Sequence, residues 1–173
     1  RASIVNIKRM FLYFLIISSV IILQSTLFTG LSIGGARPDF ALLFLIFFSH
    51  LLGPMEGKIM GFAGGLVKDS LSLAPFGFHA VIDMTVGHVF GFSKEKMYLD
   101  SLTLPLILAI VATLIKSIWS FLLFALFLPE KLSSDFGTSL LVELGINAIA
   151  APFIFALIRI LRLAPGRSRT MFK

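Results

Sequence analysis

The sequence predicts an all-α, polytopic membrane protein of six transmembrane helices, both termini cytoplasmic, folded as one integral-membrane domain over residues 1–173. Three observations predict it. First, 57% of the residues are hydrophobic and only 14% charged, with a mean hydropathy of +0.99; soluble domains carry about 25% charged residues and could not leave this much apolar surface in water. Second, the apolar residues fall into six segments broken by Pro, Gly or charge. Third, the basic residues gather on one side of those segments. Six spans of about 20 residues consume about 120 residues, which excludes a soluble catalytic module, a nucleotide-binding domain or a nucleic-acid reader.

The first span runs from Phe11 to Phe28 behind Arg1, Lys8 and Arg9. Its basic start resembles a signal peptide, but it is long and Gln24-Ser25-Thr26 is not a small-residue cleavage site, so it reads as an uncleaved helix. The second, Phe40–Leu52, opens after Pro38-Asp39 and closes at Gly53-Pro54. The third, Gly57–Leu73, stops before Pro75, and the fourth covers His79–Phe92. The fifth, Leu104–Leu128, ends at Pro129, and the sixth, Ser139–Leu163, ends at Pro165-Gly166. Spans two and four are shorter than a hydrocarbon core of ~30 Å requires. They are either packed inside the bundle or extended by their polar flanks.

With the N-terminus inside, the cytoplasmic segments hold Arg1, Lys8, Arg9, Lys58, Lys94, Lys96, Arg159, Arg162, Arg167, Arg169 and Lys173, eleven of the fifteen basic residues. The outer loops hold Arg37 and Lys131. This asymmetry satisfies the positive-inside rule, and an odd span count would put a basic tail outside. The net charge of +6 therefore reads as orientation plus attraction to anionic lipids at the cytoplasmic face. No base-stacking or groove-reading element accompanies the C-terminal arginines, so no nucleic-acid partner is expected. No Cys is present, which excludes disulfides and thiolate metal sites, and no other metal or cofactor motif occurs.

Two spans carry small-residue ridges. Gly57, Gly61, Gly65 and Asp69 share one face of the third span, and His79, Asp83, Gly87 and Gly91 one face of the fourth. Glycine at this spacing lets helix backbones approach closely in lipid, either to pack the two antiparallel neighbours together or to receive a partner helix. Asp69, Asp83 and Glu143 each fall about one turn inside the outer boundary, near Lys68, His79, Lys116 and Asn147. Unpaired charge in hydrocarbon costs a few kcal/mol, so these groups are expected to converge, with Lys116 reaching a carboxylate. The cluster is either a structural network or an outward-opening polar cavity for a substrate or a partner's side chain. His50 and His88, near the inner ends of spans two and four, are expected to be satisfied by backbone or water.

A G-x-S-x-G occurs at Gly30, Ser32 and Gly34, with G-x-S again at Ser93 and Ser139. The hydrolase motif needs a strained strand-to-helix turn and a histidine base within reach. Ser32 instead follows a transmembrane helix. Zinc-binding H-E-x-x-H and the phosphate-binding P-loop are absent, so no catalytic residues are assigned and enzymatic function is not expected.

Three stretches taken together are more specific: L-Q-S-T-L-F at 23–28, R-P-D-F-A-L-L-F at 37–44, and G-P-M-E-G-K-I-M-G-F-A-G-G-L-V-K-D-S-L at 53–71 followed by F-G-F-H-A at 76–80 and V-G-H at 86–88. This ordered set resembles the rod shape-determining protein MreD family over about Leu23–Gly91; the last two spans match in hydropathy and length. The matching positions are Pro38, Asp39, Gly57, Gly61, Phe62, Gly65, Leu66, Asp69, Gly77, Ala80 and Gly87, while Lys68 departs from a more apolar pattern. The resemblance implies a non-catalytic, multi-pass protein of the bacterial inner membrane that acts in cell elongation, cell shape and peptidoglycan synthesis. It implies direct binding of MreC, with MreB, RodA and its penicillin-binding partner in a larger complex, and partner-binding or helix-packing roles for Pro38, Asp39 and the ridge glycines. The family's fold is similar to the six-helix substrate-binding S components of energy-coupling-factor vitamin transporters. An S component is accordingly the alternative function, although span one lacks the Ala-x-x-x-Ala through which such components dock.

The cysteine-free chain makes the topology directly testable. Lys131→Cys should react with an impermeant maleimide on intact cells, and Lys96→Cys only after permeabilisation; the reverse pattern would invert the orientation.

Overall fold

The computed structural model describes residues 7–27, 36–94, 103–127, 136–161 and 163. They form six helices: α1 (Ile7–Leu27), α2 (Phe40–Leu52), α3 (Pro54–Leu71), α4 (Phe78–Gly91), α5 (Thr103–Phe127) and α6 (Phe136–Ile160). Each expected span is a helix; α2 has the expected bounds, and the other five have shifted ends. Both α1 and α6 start about a turn earlier than hydropathy suggests, taking in Lys8 and Arg9 in one case and Phe136 to Thr138 in the other. Helix α3 starts at Pro54, because proline at the first helical position lacks only an N–H that would have no partner there. Gly53 alone separates α2 from α3, at φ 116°, a backbone conformation that glycine adopts without strain.

By length and composition, α1, α5 and α6 can each cross a membrane, while α2 is a shorter apolar helix. The 13 residues of α2 give ~20 Å of helix, too little to span alone. Its place in the bundle resolves this. A helix that is apolar all round belongs in the interior, and every residue from Ala41 to His50 is buried. Around it run the other five, all of which it touches; α1 packs on α3, α3 on α4, α4 on α5 and α5 on α6. Aromatic contacts pin the flanks: Tyr13 of α1 stacks on Phe48 at 4.2 Å, and Phe155 of α6 meets Phe47 edge-on at 4.9 Å. Tyr13 Oη donates to the Leu163 carbonyl at 2.8 Å, tying α1 to the exit of α6.

The ridges of α3 and α4 face one another. A Cβ added at Gly61 would lie 2.1 Å from the Asp83 carbonyl oxygen, one at Gly65 2.4 Å from Ala80 Cα, one at Gly87 2.1 Å from the Gly57 carbonyl oxygen, and one at Gly91 2.3 Å from Pro54 Cα. Backbone therefore meets backbone along the whole contact, and of the two uses open to the ridges the fold employs helix packing. In lipid such packing replaces the hydrophobic effect as the force holding helices together.

Gly61→Ala should destabilise the protein by about 3 kcal/mol or more, since the clash is with backbone rather than a movable side chain. Gly145→Ala, where an added Cβ meets nothing within 4 Å, should be neutral or stabilising by up to about 1 kcal/mol. Unfolding by SDS titration in mixed micelles measures both, and equal effects would contradict the packing.

Candidate functional site

A helix that begins in the interior needs partners for its first N–H groups, and three side chains supply them at α2. Asp39, set by Pro38 just before the helix, accepts from Leu42 N at 3.0 Å. Asn147 Oδ1 of α6 accepts from Asp39 N at 2.9 Å. Gln24 of α1 accepts from Ala41 N at 3.4 Å and donates to the Pro38 carbonyl at 2.7 Å. Asn147 in turn donates to Thr113 Oγ1 at 3.1 Å.

The cap is also the centre of a charge network. Lys116 of α5 donates to Asp39 Oδ2 at 2.7 Å and to Glu143 Oε1 at 2.5 Å. Lys68 of α3 reaches Asp39 Oδ1 at 3.3 Å and Asp83 Oδ2 of α4 at 2.9 Å. Five helices thus meet at one carboxylate through two lysines. Burial penalises the Asp39 charge, and the ammonium groups of Lys116 at 2.7 Å and Lys68 at 3.3 Å offset that penalty. This site lies beside the middle of α5 and α6, where α2 begins.

Asp69 is directed elsewhere. Its carboxylate accepts from the N–H groups of Gly77 at 2.9 Å, His79 at 2.8 Å and Ala80 at 3.2 Å, and from His79 Nδ1 at 2.9 Å. Because an ionised carboxylate only accepts, the Nδ1 position carries a proton. The residue preceding α4 is Gly77, at φ 100°, which has no side chain to cap with; Asp69 caps α4 from the end of α3 instead. Of the groups expected to converge, Lys68, Asp83, Lys116, Glu143 and Asn147 form one network, while Asp69 and His79 form a neighbouring pair. Asp39, read from sequence as a partner-binding or packing position, is the hub. Gln24 and Thr113 were not singled out, although the shortness of α2 hints that something must satisfy its start.

Because α2 starts so deep, the space beyond it is open. A cavity of about 270 Å³ lies there, lined by Gln24, Ser25, Arg37, Lys68, Ser72, His79 and Lys116, with Asp39 among them. A second of about 180 Å³ lies between α5 and α6, lined by Lys116, Ser117, Ser120, Phe124, Phe136, Ser139 and Glu143. Lys116 lines both.

The side chains brought together here offer charge and hydrogen bonds. His50 Nδ1 lies 2.7 Å from Ser93 Oγ, but Ser93 donates to the Phe90 carbonyl at 2.6 Å, so the imidazole donates to the serine instead of taking its proton. His88 Nδ1 meets the Pro54 carbonyl at 3.2 Å. Among the described residues no three His, Cys, Asp or Glu side chains group to hold a metal. The Gly30, Ser32 and Gly34 motif lies outside the described residues.

Asp39→Asn keeps a capping side chain but leaves two buried ammonium groups short of a partner, and should cost about 3–5 kcal/mol. Asp83→Asn, which removes a contact to one lysine, should cost less. A double-mutant cycle pairing Asp39→Asn with Lys116→Met should show strong non-additivity in the same unfolding measurement; additive effects would disprove the coupling.

The family model described as rod shape-determining protein MreD matches residues 5–161 of the 173-residue chain. No curated protein and no solved structure matches it.

Proposed function

The chain belongs to the rod shape-determining protein MreD family, and we propose that it is a non-catalytic scaffold of the cell-elongation complex, which binds MreC and thereby helps control peptidoglycan synthesis. The family carries the rod-shape role; the partner is the further step. In this reading the protein crosses the bacterial inner membrane with both termini in the cytoplasm, so that the cavity beyond α2 faces the periplasm. MreC, a single-span protein with a periplasmic domain, would present its juxtamembrane segment there. MreB, RodA and its penicillin-binding partner would join through the larger assembly.

The observation that carries this reading is the polar cavity beyond the start of α2. The glycine ridges are occupied within the α3–α4 pair, so the close-approach faces are not free for a partner. The cavity, in contrast, offers hydrogen-bonding groups from α1, α3, α4 and α5 on one concave surface, the form in which a protein usually receives a ligand or an inserted side chain.

Ser25→Trp fills the cavity from α1 without altering any ion pair. It should reduce co-purification of MreC about tenfold or more and cause rod-shaped cells to round up, while the amount of folded protein is unchanged. Unaltered MreC recovery would refute the cavity as the docking site.

A further inference from the structure

The membrane-depth network does not balance. Lys68 and Lys116 contribute two positive charges, whereas Asp39, Asp83 and Glu143, all in direct contact with them, contribute three negative ones. The Asp69–His79 pair beside them cannot supply the difference: it is neutral when the imidazole is protonated and negative when it is not. Arg37, at the rim, is exposed and has a contact of its own. One unit of negative charge is left over in a region where uncompensated charge is costly.

Asp83 and Glu143 each engage a lysine through one oxygen, but Asp83 is buried and lines neither cavity. Both oxygens of Asp39 receive lysine hydrogen bonds. Glu143 meets Lys116 and Asn147 through Oε1, with no hydrogen bond to Oε2, and the residue lines the cavity between α5 and α6. Three serine hydroxyls, from Ser117, Ser120 and Ser139, the rings of Phe124 and Phe136, Leu140, and Lys116, whose ammonium is held by Asp39 and Glu143, complete that wall. A carboxylate oxygen, hydroxyl acceptors and aromatic faces together suit an organic cation. Glu143 lies seven residues inside the start of α6, ~10 Å along the helix, and exposed Ile118 and Leu141 lie on the same two helices, so an occupant would come from within the membrane.

We infer that the crevice between α5 and α6 receives one guanidinium or ammonium side chain carried by a partner's transmembrane segment, with Glu143 as its counter-charge. This surface is separate from the cavity beyond α2, and the inference stands whether or not MreC occupies that cavity.

The test uses the full-length protein in lipid vesicles with a synthetic polyleucine transmembrane peptide carrying one arginine two turns from its end, read by energy transfer between labels. The arginine peptide should associate about tenfold more strongly than the same peptide with glutamine, and Glu143→Gln should erase the difference. Should that variant not fold, Ser120→Phe fills the crevice while leaving all five charged groups in place, and it too should erase the preference. Equal association of the two peptides with the native protein overturns the inference; that is the outcome if a proton held on Asp83 or Glu143 already cancels the charge. A preference for arginine that survives both variants overturns it as well.

Discussion

A helix start buried halfway through a membrane bundle is the constraint to which the surrounding structure answers. The first N–H groups of α2 have no preceding turn to bond to, and each left unsatisfied inside the bundle would cost several kcal/mol. Asp39 caps the helix, and its charge suits the positive end of the helix dipole. Yet a buried carboxylate creates a cost of its own. Lys68 and Lys116 offset it, and their remaining donors then engage Asp83 and Glu143. The polar residues on α3 to α6 are successive answers to a backbone requirement on α2.

The α3–α4 pair solves a different problem with the same economy of side chains. Its motif combines glycines that admit a facing backbone, an aspartate that accepts three N–H groups, and a left-handed Gly77 that turns the chain. Ala80 is small because Gly65 lies against its Cα. Residues scattered over Gly57–Gly91 therefore form one hairpin. The motif of this segment describes how two helices meet; Asp39, contributed by the segment before them, binds the hairpin to the rest of the bundle through Lys68 and Lys116.

Much of this architecture was legible in the sequence, for reasons that differ by element. Helices α1, α5 and α6 were visible because lipid forces long apolar runs, the shorter α2 to α4 because Pro, Gly and charge bound their apolar segments, and the ridges because glycine recurs every four residues. Convergence of Lys68, Lys116, Asp83 and Glu143 followed from the cost of isolated charge. The role of Asp39 did not follow. From sequence it opens a span and so belongs at the membrane surface; only the placement of α2 beside the middle of α5 brings it within reach of both lysines. Asp69, one residue from Lys68, looked like another member of the cluster, because a helix turns neighbours by about 100° and nothing in the sequence says which neighbours face each side. The early start of α3 was hidden by Pro54, which reads as a break but is tolerated at a helix's first position.

The depth at which α2 begins also sets the electrical thickness of the protein. A polar cavity of about 270 Å³ has room for several water molecules, which would draw the aqueous boundary inward to the level of Asp39. Across the centre of the bundle a transmembrane voltage would then fall along the ~20 Å of α2 instead of the ~30 Å of the surrounding lipid. The field there would be steeper by about half. A charge entering the floor of that cavity would cross much of the geometric distance into the membrane and little of its potential.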